Sequence, residues 1–224
     1  MLRLSVLLAC SLAAAAAAQE RAAKTFPLDR LNGLTLIGTH AEPVDYRGRL
    51  ALKLVESKRD GGEALAIVDD ARLRNGEIAI DVAGLPAAGA PEGSRGFIGV
   101  AFRVQREPLR YECFYIRPTN GRADDQLRRN HSTQYISYPD FPWFLLREKH
   151  PGVYESYADM EPGAWTPLRI VVDGVRARLF VGHASQPALV VNDLKHGAAD
   201  GGVALWIGQG TEAYFGPLRV TGLP

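Results

Sequence analysis

Cysteine is nearly absent from this chain, with two in 224 residues. Cys10 falls inside the N-terminal stretch "MLRLSVLLACSLAAAAAAQE", which reads as an export signal. Its removal leaves Cys113 alone, so no intramolecular disulfide can form and the fold must rest on its core. Cys113 itself reads as a small buried residue. Excess charge of either sign is also missing. There are 26 basic and 25 acidic residues, and the count is level once Arg3 leaves with the signal. That excludes the basic footprint of a nucleic-acid-binding face. No apolar run is built to cross a membrane, because the N-terminal one is too short and badly flanked. Metal motifs are lacking. His40, His131, His150, His183 and His196 are scattered, and no Asp-rich calcium loop is present. Neither a metal nor a cofactor is expected.

The signal has the usual parts. Arg3 gives a positive start, "LSVLLACSLAAAAAA" an apolar middle, and Ala16 and Ala18 a small-x-small cleavage site before Gln19. Residues 1–18 are therefore read as a cleaved leader, with 19–224 as one domain in the periplasm or outside the cell. "LLAC" also fits part of a lipoprotein box, so lipidation of Cys10 is the rival reading.

A sustained helical period is missing too. What stands in its place is a series of short apolar runs separated by Gly, Pro, Asn and Asp, which reads as β. They are "LTLIGTHAEPVDY", "RLALKLVES", "EALAIVDD", "GEIAIDVAG", "GFIGVAFRV", "RYECFYIRP", "TQYISYP", "TPLRIVVDG", "VRARLFVG", "ALVVNDL", "GGVALWIG" and "AYFGPLRVTG". Asp173-Gly174 suits a hairpin turn that needs positive φ. About a dozen strands without crossover helices imply an all-β, two-sheet sandwich or jelly roll.

The rhythm breaks from Pro118 to Trp165. Excursions this long inside a domain are usually functional or disordered. Disorder conflicts with composition, since 11 of the 19 aromatic residues lie between Tyr111 and Trp165. The excursion opens with "RPTNGRADDQLRRNHSTQY", which holds four arginines, two aspartates, two asparagines, two glutamines and a histidine. One short helix is expected near 123–130.

Side chains alternate along a strand. In "GFIGVAFRV", Ile98, Val100 and Phe102 share one face, and Phe97, Gly99, Ala101 and Arg103 the other. In "RYECFYIRP", Phe114 and Ile116 oppose Tyr111, Cys113, Tyr115 and Arg117. One face is bulky and aliphatic, as a core requires. The other combines a small floor with tyrosine and arginine walls, which suits a ligand groove. The plainer alternative is a face covered by the excursion.

"GFIGVAFRV…YECFYIRPTNGR", with "WTPLRIVVDGVRARLFVG", "PALVVNDLKHG" and "GGVALWIGQGTEAYFGPLRV", resembles the concanavalin A-like lectin/glucanase superfamily. Within it the chain is most similar to secreted bacterial domains of the 3-keto-disaccharide hydrolase type. The likeness spans most of residues 75–220. It implies a jelly roll whose concave sheet meets sugar. One departure matters: the catalytic Glu-x-Asp-x-x-Glu of laminarinase and agarase relatives is absent. "GEIAIDVAG" offers only Glu77 and Asp81, which also fit an exposed strand face. A retaining mechanism with paired carboxylates is not supported.

The candidate catalytic residues are His131, Asp125 and Glu155. His131 lies among arginines, which should disfavour its charged form and suit a neutral base. Asp124, Asp125, Glu155 or Asp159 could orient it. Against this, Asp124 and Asp125 also fit a helix cap. The candidate ligand-binding residues are Arg103, Tyr111, Tyr115, Arg117, Asn120, Arg122, Asn130, Gln134, Tyr135, Trp143 and Trp206. Rings suit the apolar C–H faces of sugars, and Arg and Asn suit their hydroxyls. Trp165 is read as core. The expected partner is a carbohydrate. Three readings stay open: a lectin-like binding protein, an enzyme that hydrolyses or eliminates at a glycosidic bond of a glycoside or 3-keto-glycoside, and an envelope scaffold.

Overall fold

The computed structural model describes residues 23–57 and 62–222, so the leader read at 1–18 lies outside the described residues. Sixteen strands form among them: β1 (Lys24–Phe26), β2 (Leu34–Ile37), β3 (Thr39–Tyr46), β4 (Arg49–Glu56), β5 (Ala64–Leu73), β6 (Gly76–Pro86), β7 (Ile98–Arg106), β8 (Leu109–Ile116), β9 (Thr133–Tyr138), β10 (Glu155–Ser156), β11 (Thr166–Asp173), β12 (Arg176–Val181), β13 (Leu189–Val191), β14 (Gly201–Ile207), β15 (Thr211–Phe215) and β16 (Leu218–Gly222). Three short helices join them: α1 (Pro118–Gly121), α2 (Gln126–Asn130) and α3 (Trp143–Lys149).

The strands build two antiparallel sheets. One runs β13-β12-β11-β6-β15-β4-β3, with β16 beside β6 and β1 beside β16. The other runs β10-β9-β8-β7-β14-β5-β2. The edges are short or interrupted: β10 has two residues, β13 and β1 three and β2 four, while the eight of β3 include Pro43. Leu52, Leu54, Ile78 and Val82 meet Val100, Phe102, Phe114 and Leu205 between the sheets. All eight are buried, each side chain stabilising by about 1.5–3 kcal/mol. The strand parity read for β7 and β8 holds for Ile98, Val100, Phe102, Phe114 and Ile116.

A second apolar cluster covers the outer face of the seven-stranded sheet. Ala101, Cys113 and Ala204 are its floor, with Leu65, Ile67, Tyr111 and Tyr115 around them. Gly99 lies opposite Tyr115 in the ladder, and a Cβ there would collide with the backbone and Cβ of Tyr115. The missing side chain is what lets that tyrosine settle on the sheet. Burial pushes the Cys113 thiol well above its ordinary pKa.

Several expectations need correction. "LTLIGTHAEPVDY" is two strands in different sheets, because Gly38 turns the corner with φ 60 and a Cβ there would strike the Glu63 carbonyl. "AYFGPLRVTG" likewise divides into β15 and β16. The 118–165 excursion is not one long loop. Its β9 pairs with β8 and extends the sheet, and three helices pack around it. Trp165 leaves the main core for a small cluster with Tyr46 and Tyr214, under the Arg49 guanidinium. The Asp173-Gly174 hairpin forms, with Gly174 at φ 56.

Candidate functional site

A cleft opens on the outer face of the seven-stranded sheet and has two connected ends. The apolar end, about 340 Å³, is lined by Glu63, Phe97, Tyr115, Trp143 and Trp206. The cationic end, about 280 Å³, is lined by Arg95, Arg117, Asn120, Arg128, His131 and Arg147. Gly93, Phe97 and Trp143 border both.

The aromatic wall follows from strand pairing. β14 lies beside β7, which places Trp206 next to Gly99 and brings its ring to 4.8 Å from Tyr115. Phe97 meets Tyr115 edge-on at 6.2 Å. Trp206 Nε1 donates to the Tyr111 hydroxyl at 3.1 Å, and that ring stacks on Tyr138 at 5.1 Å. Trp143 stands at the start of α3 and is 43% exposed, with the Arg147 guanidinium 4.8 Å from its ring centre and Phe144 edge-on at 5.9 Å.

Glu63 enters the apolar end just before β5. It accepts a hydrogen bond from the Tyr111 hydroxyl. Burial raises its pKa above the ordinary carboxylate value, against the hydrogen bonds from Tyr111 and Trp206. Sequence reasoning missed this residue. The signal was present: Glu63 shares strand parity with Leu65 and Ile67, which lie on the cleft face.

The cationic end is organised by Arg117, 5% exposed. It donates to the Tyr115 hydroxyl at 2.9 Å, to Gln134 Oε1 at 3.0 Å and to the His131 carbonyl at 2.9 Å. All three acceptors are neutral. Burial lowers the Arg117 pKa, and the neighbouring Arg147 adds to this. Burial also pushes the Tyr115 hydroxyl up to about 12. Asn120 donates to the same His131 carbonyl at 3.2 Å.

His131 closes the end of α2, and its Nε2 lies 3.2 Å from Glu155 Oε1. Glu155 is buried on β10 and gripped by Arg147, whose Nε and NH2 approach within 3.1 Å. Burial is the main cause that lowers the His131 pKa. Glu155 opposes it, while Arg147 and Arg117 add to it. The direction is the one read from sequence, but burial comes first, and the arginines that add to it are not its chain neighbours.

Other candidates lie elsewhere. Asp125 is exposed and caps α2, accepting from Arg128 N at 2.9 Å. Arg122 is exposed and bound by Asp159 and Glu161. Asn130 is exposed and accepts from Gln126. Gln134 is buried behind Arg117 and holds it in place. Tyr135 pairs with Phe114 and so faces the interior, where its hydroxyl donates to Glu112 at 2.6 Å. Tyr111 is the buried layer beneath Trp206. Arg103 turns away from the floor because the β7–β8 ladder shifts register there and its φ is 54. Its guanidinium ties together the carbonyls of Arg74, Gly174 and Gly197. Glu77 and Asp81 pair with Arg169 and Arg49 on the other sheet.

No protein-family model and no curated protein matches the sequence. Solved structures do match. A Bacillus subtilis protein of unknown function with a galectin-like fold aligns at TM-score 0.59 and 11% identity, over 90% of this chain and 96% of that one. The carbohydrate-binding module CBM66 from Bacillus subtilis aligns at 0.54 and 10%, over 82% and 92%. The Bauhinia forficata lectin, solved with GalNAc, aligns at 0.50 and 12%, over 90% and 97%. At such identities the matches speak for the fold, a concanavalin A-like jelly-roll sandwich, as the sequence resemblance implied.

Proposed function

We propose that the protein binds a carbohydrate in this cleft, ring faces against Trp143, Trp206 and Phe97, hydroxyls toward Glu63, Asn120 and the arginines. The observation that carries the reading is the joined aromatic and polar cleft on the sheet's outer face. Such convergence of flat apolar surfaces and fixed donors is what sugars require. Two matched folds of similar strength are themselves named as a carbohydrate-binding module and a lectin. Export through residues 1–18 belongs to the same reading and would bring the cleft to extracellular or periplasmic glycans. Ligand-observed NMR with a panel of oligosaccharides tests it. Trp143→Ala should weaken binding about threefold to tenfold, the value of one ring contact. The ring is 43% exposed and its loss removes one contact with the Arg147 guanidinium, so the melting temperature should fall only slightly. Absence of binding to any oligosaccharide at millimolar concentration refutes the reading.

Turnover is the second reading, favoured by two titratable groups in one cleft. Glu63 keeps its proton to higher pH than an ordinary carboxyl, as a general acid should. His131 stays neutral to lower pH than usual, as a base should. On a 3-keto sugar, His131 would take the proton beside the keto group, Arg117 would hold the enolate oxygen, and the glycosidic oxygen would leave as the C=C bond forms, taking its proton from Glu63. New product resonances that vanish in His131→Ala would support it, and their absence would leave the binding function.

A further inference from the structure

Three of the four arginines at the cationic end form no ion pair, although Glu155 acts on Arg117 from a distance. Arg147 is paired with Glu155. Arg117 is bonded to neutral acceptors alone. Arg95 donates to the carbonyls of Glu92 and Ser94. Arg128 reaches the Thr119 carbonyl and Asn120 Oδ1 at 3.4 Å each, and its Nε is buried with no hydrogen-bond partner. No ion pair involves Arg95, Arg117 or Arg128 among the described residues. Unpaired arginines occur elsewhere too, Arg103 among them, but there a single guanidinium is satisfied by carbonyls, whereas here three line one cavity.

Unpaired guanidinium groups crowded into one cavity repel each other and forfeit part of their hydration. A buried donor left unmade adds a further cost. Such an arrangement is stable in function when an anion completes it, since planar forks match oxyanion geometry. A neutral sugar needs no such excess. The cationic end joins the aromatic end through Phe97 and Trp143, so one ligand can occupy both.

We infer that the ligand is an acidic sugar, with its oxyanion seated among Arg95, Arg117 and Arg128 and its ring on the aromatic wall. The shared chemistry is a carboxylate, sulfate ester or phosphate ester on the sugar. This inference rests on the carbohydrate reading and names the substrate class for the same cleft. His131, neutral beside the seat, adds a donor or acceptor for a neighbouring hydroxyl.

The test is calorimetric titration of the full chain with matched disaccharides. One ends in glucuronate; in a second that carboxyl is a hydroxymethyl group; a third and fourth carry a 6-sulfate and a 6-phosphate. Inorganic sulfate alone is the fifth probe. The expected result is at least tenfold tighter binding of one acidic form over the neutral form, diminishing as salt is added. Which form wins identifies the oxyanion. Arg128→Gln and Arg95→Gln should each narrow the gap about tenfold, the value of one charge-assisted hydrogen bond. Both positions are only part-buried, so their loss does not probe folding. Equal binding of acidic and neutral sugars overturns this inference and leaves the carbohydrate reading standing. Sulfate binding without binding of any sugar overturns the carbohydrate reading and keeps the oxyanion seat. Silence from all five probes overturns both.

Discussion

Replacing Glu155 by glutamine removes the carboxylate that Arg147 and His131 share behind the cationic end. Its side chain is 3% exposed, faces Arg147 in a fork and lies 3.2 Å from His131 Nε2. Glutamine keeps the volume and removes the charge. Its amide nitrogen must then point at a guanidinium or an imidazole, so one arm of the fork is lost and the other loses its charge assistance. Charge-assisted hydrogen bonds contribute about 1.5–3 kcal/mol each. Breaking a buried pair can cost about 3–5 kcal/mol, but Arg147 is near enough to solvent to recover part of its hydration. A net loss of about 2–3 kcal/mol follows, read as a lower urea midpoint at unchanged slope. The pH dependence should change as well. The folded His131 pKa lies below its ordinary value, so the unfolded chain binds more protons in the window between the two. Stability contributed here is full above about pH 6.5 and is lost as pH falls through that window. Glu155 favours the charged imidazole, so Glu155→Gln should lower the His131 pKa further and extend the window downward. NMR titration of His131 in both proteins checks the direction. A destabilisation under about 0.5 kcal/mol at pH 7.5, or a His131 that titrates higher in the variant, would refute the coupling described for this site.

Two further perturbations address separate parts of the molecule. Arg103→Met should cost about 3 kcal/mol or more in urea denaturation, because three loop carbonyls lose their donor and each unmade bond costs about 1–3 kcal/mol; a neutral outcome would show that water replaces the guanidinium. Glu63 has a raised pKa, so the folded protein holds a proton that the unfolded chain releases in the window above the ordinary carboxyl value. That stabilisation is present at low pH and is lost as pH rises through the window, and Glu63→Gln should flatten the difference between stability curves measured across it.

Much of the cleft was legible from alternation alone. Gly99, Ala101 and Cys113 could be assigned to one face of β7 and β8, and they lie on the cleft side of the sheet, buried beneath the layer of Tyr111 and Tyr115 that separates them from the cavity. Arg103 defeated the same rule, since a register shift reverses parity and no composition signal announces it. Tyr135 went astray because the register of β9 is set by its partner: pairing with Phe114 turns it inward. Within "RPTNGRADDQLRRNHSTQY", Arg117, Asn120, Arg128 and His131 converge on the cavity, while Arg122 and Asn130 leave it. Composition shows that a segment is rich in donors, but helix phase decides which of them face inward. Arg95 and Arg147 were invisible for a different reason. They come from distant parts of the chain and meet only when β9 and α3 fold against the sheet.

The brevity of the sheet edges has a consequence for life at high concentration. A neighbouring chain can add to a sheet only where a row of backbone donors and acceptors stands open. Here β10, β13, β1 and β2 offer rows of two to four residues. The longest edge, β3, is interrupted by Pro43 and carries Glu42 and Asp45. A protein with no disulfide among its described residues and close to charge neutrality has little else to keep copies apart. The poor template at its borders is therefore its guard against cross-β growth.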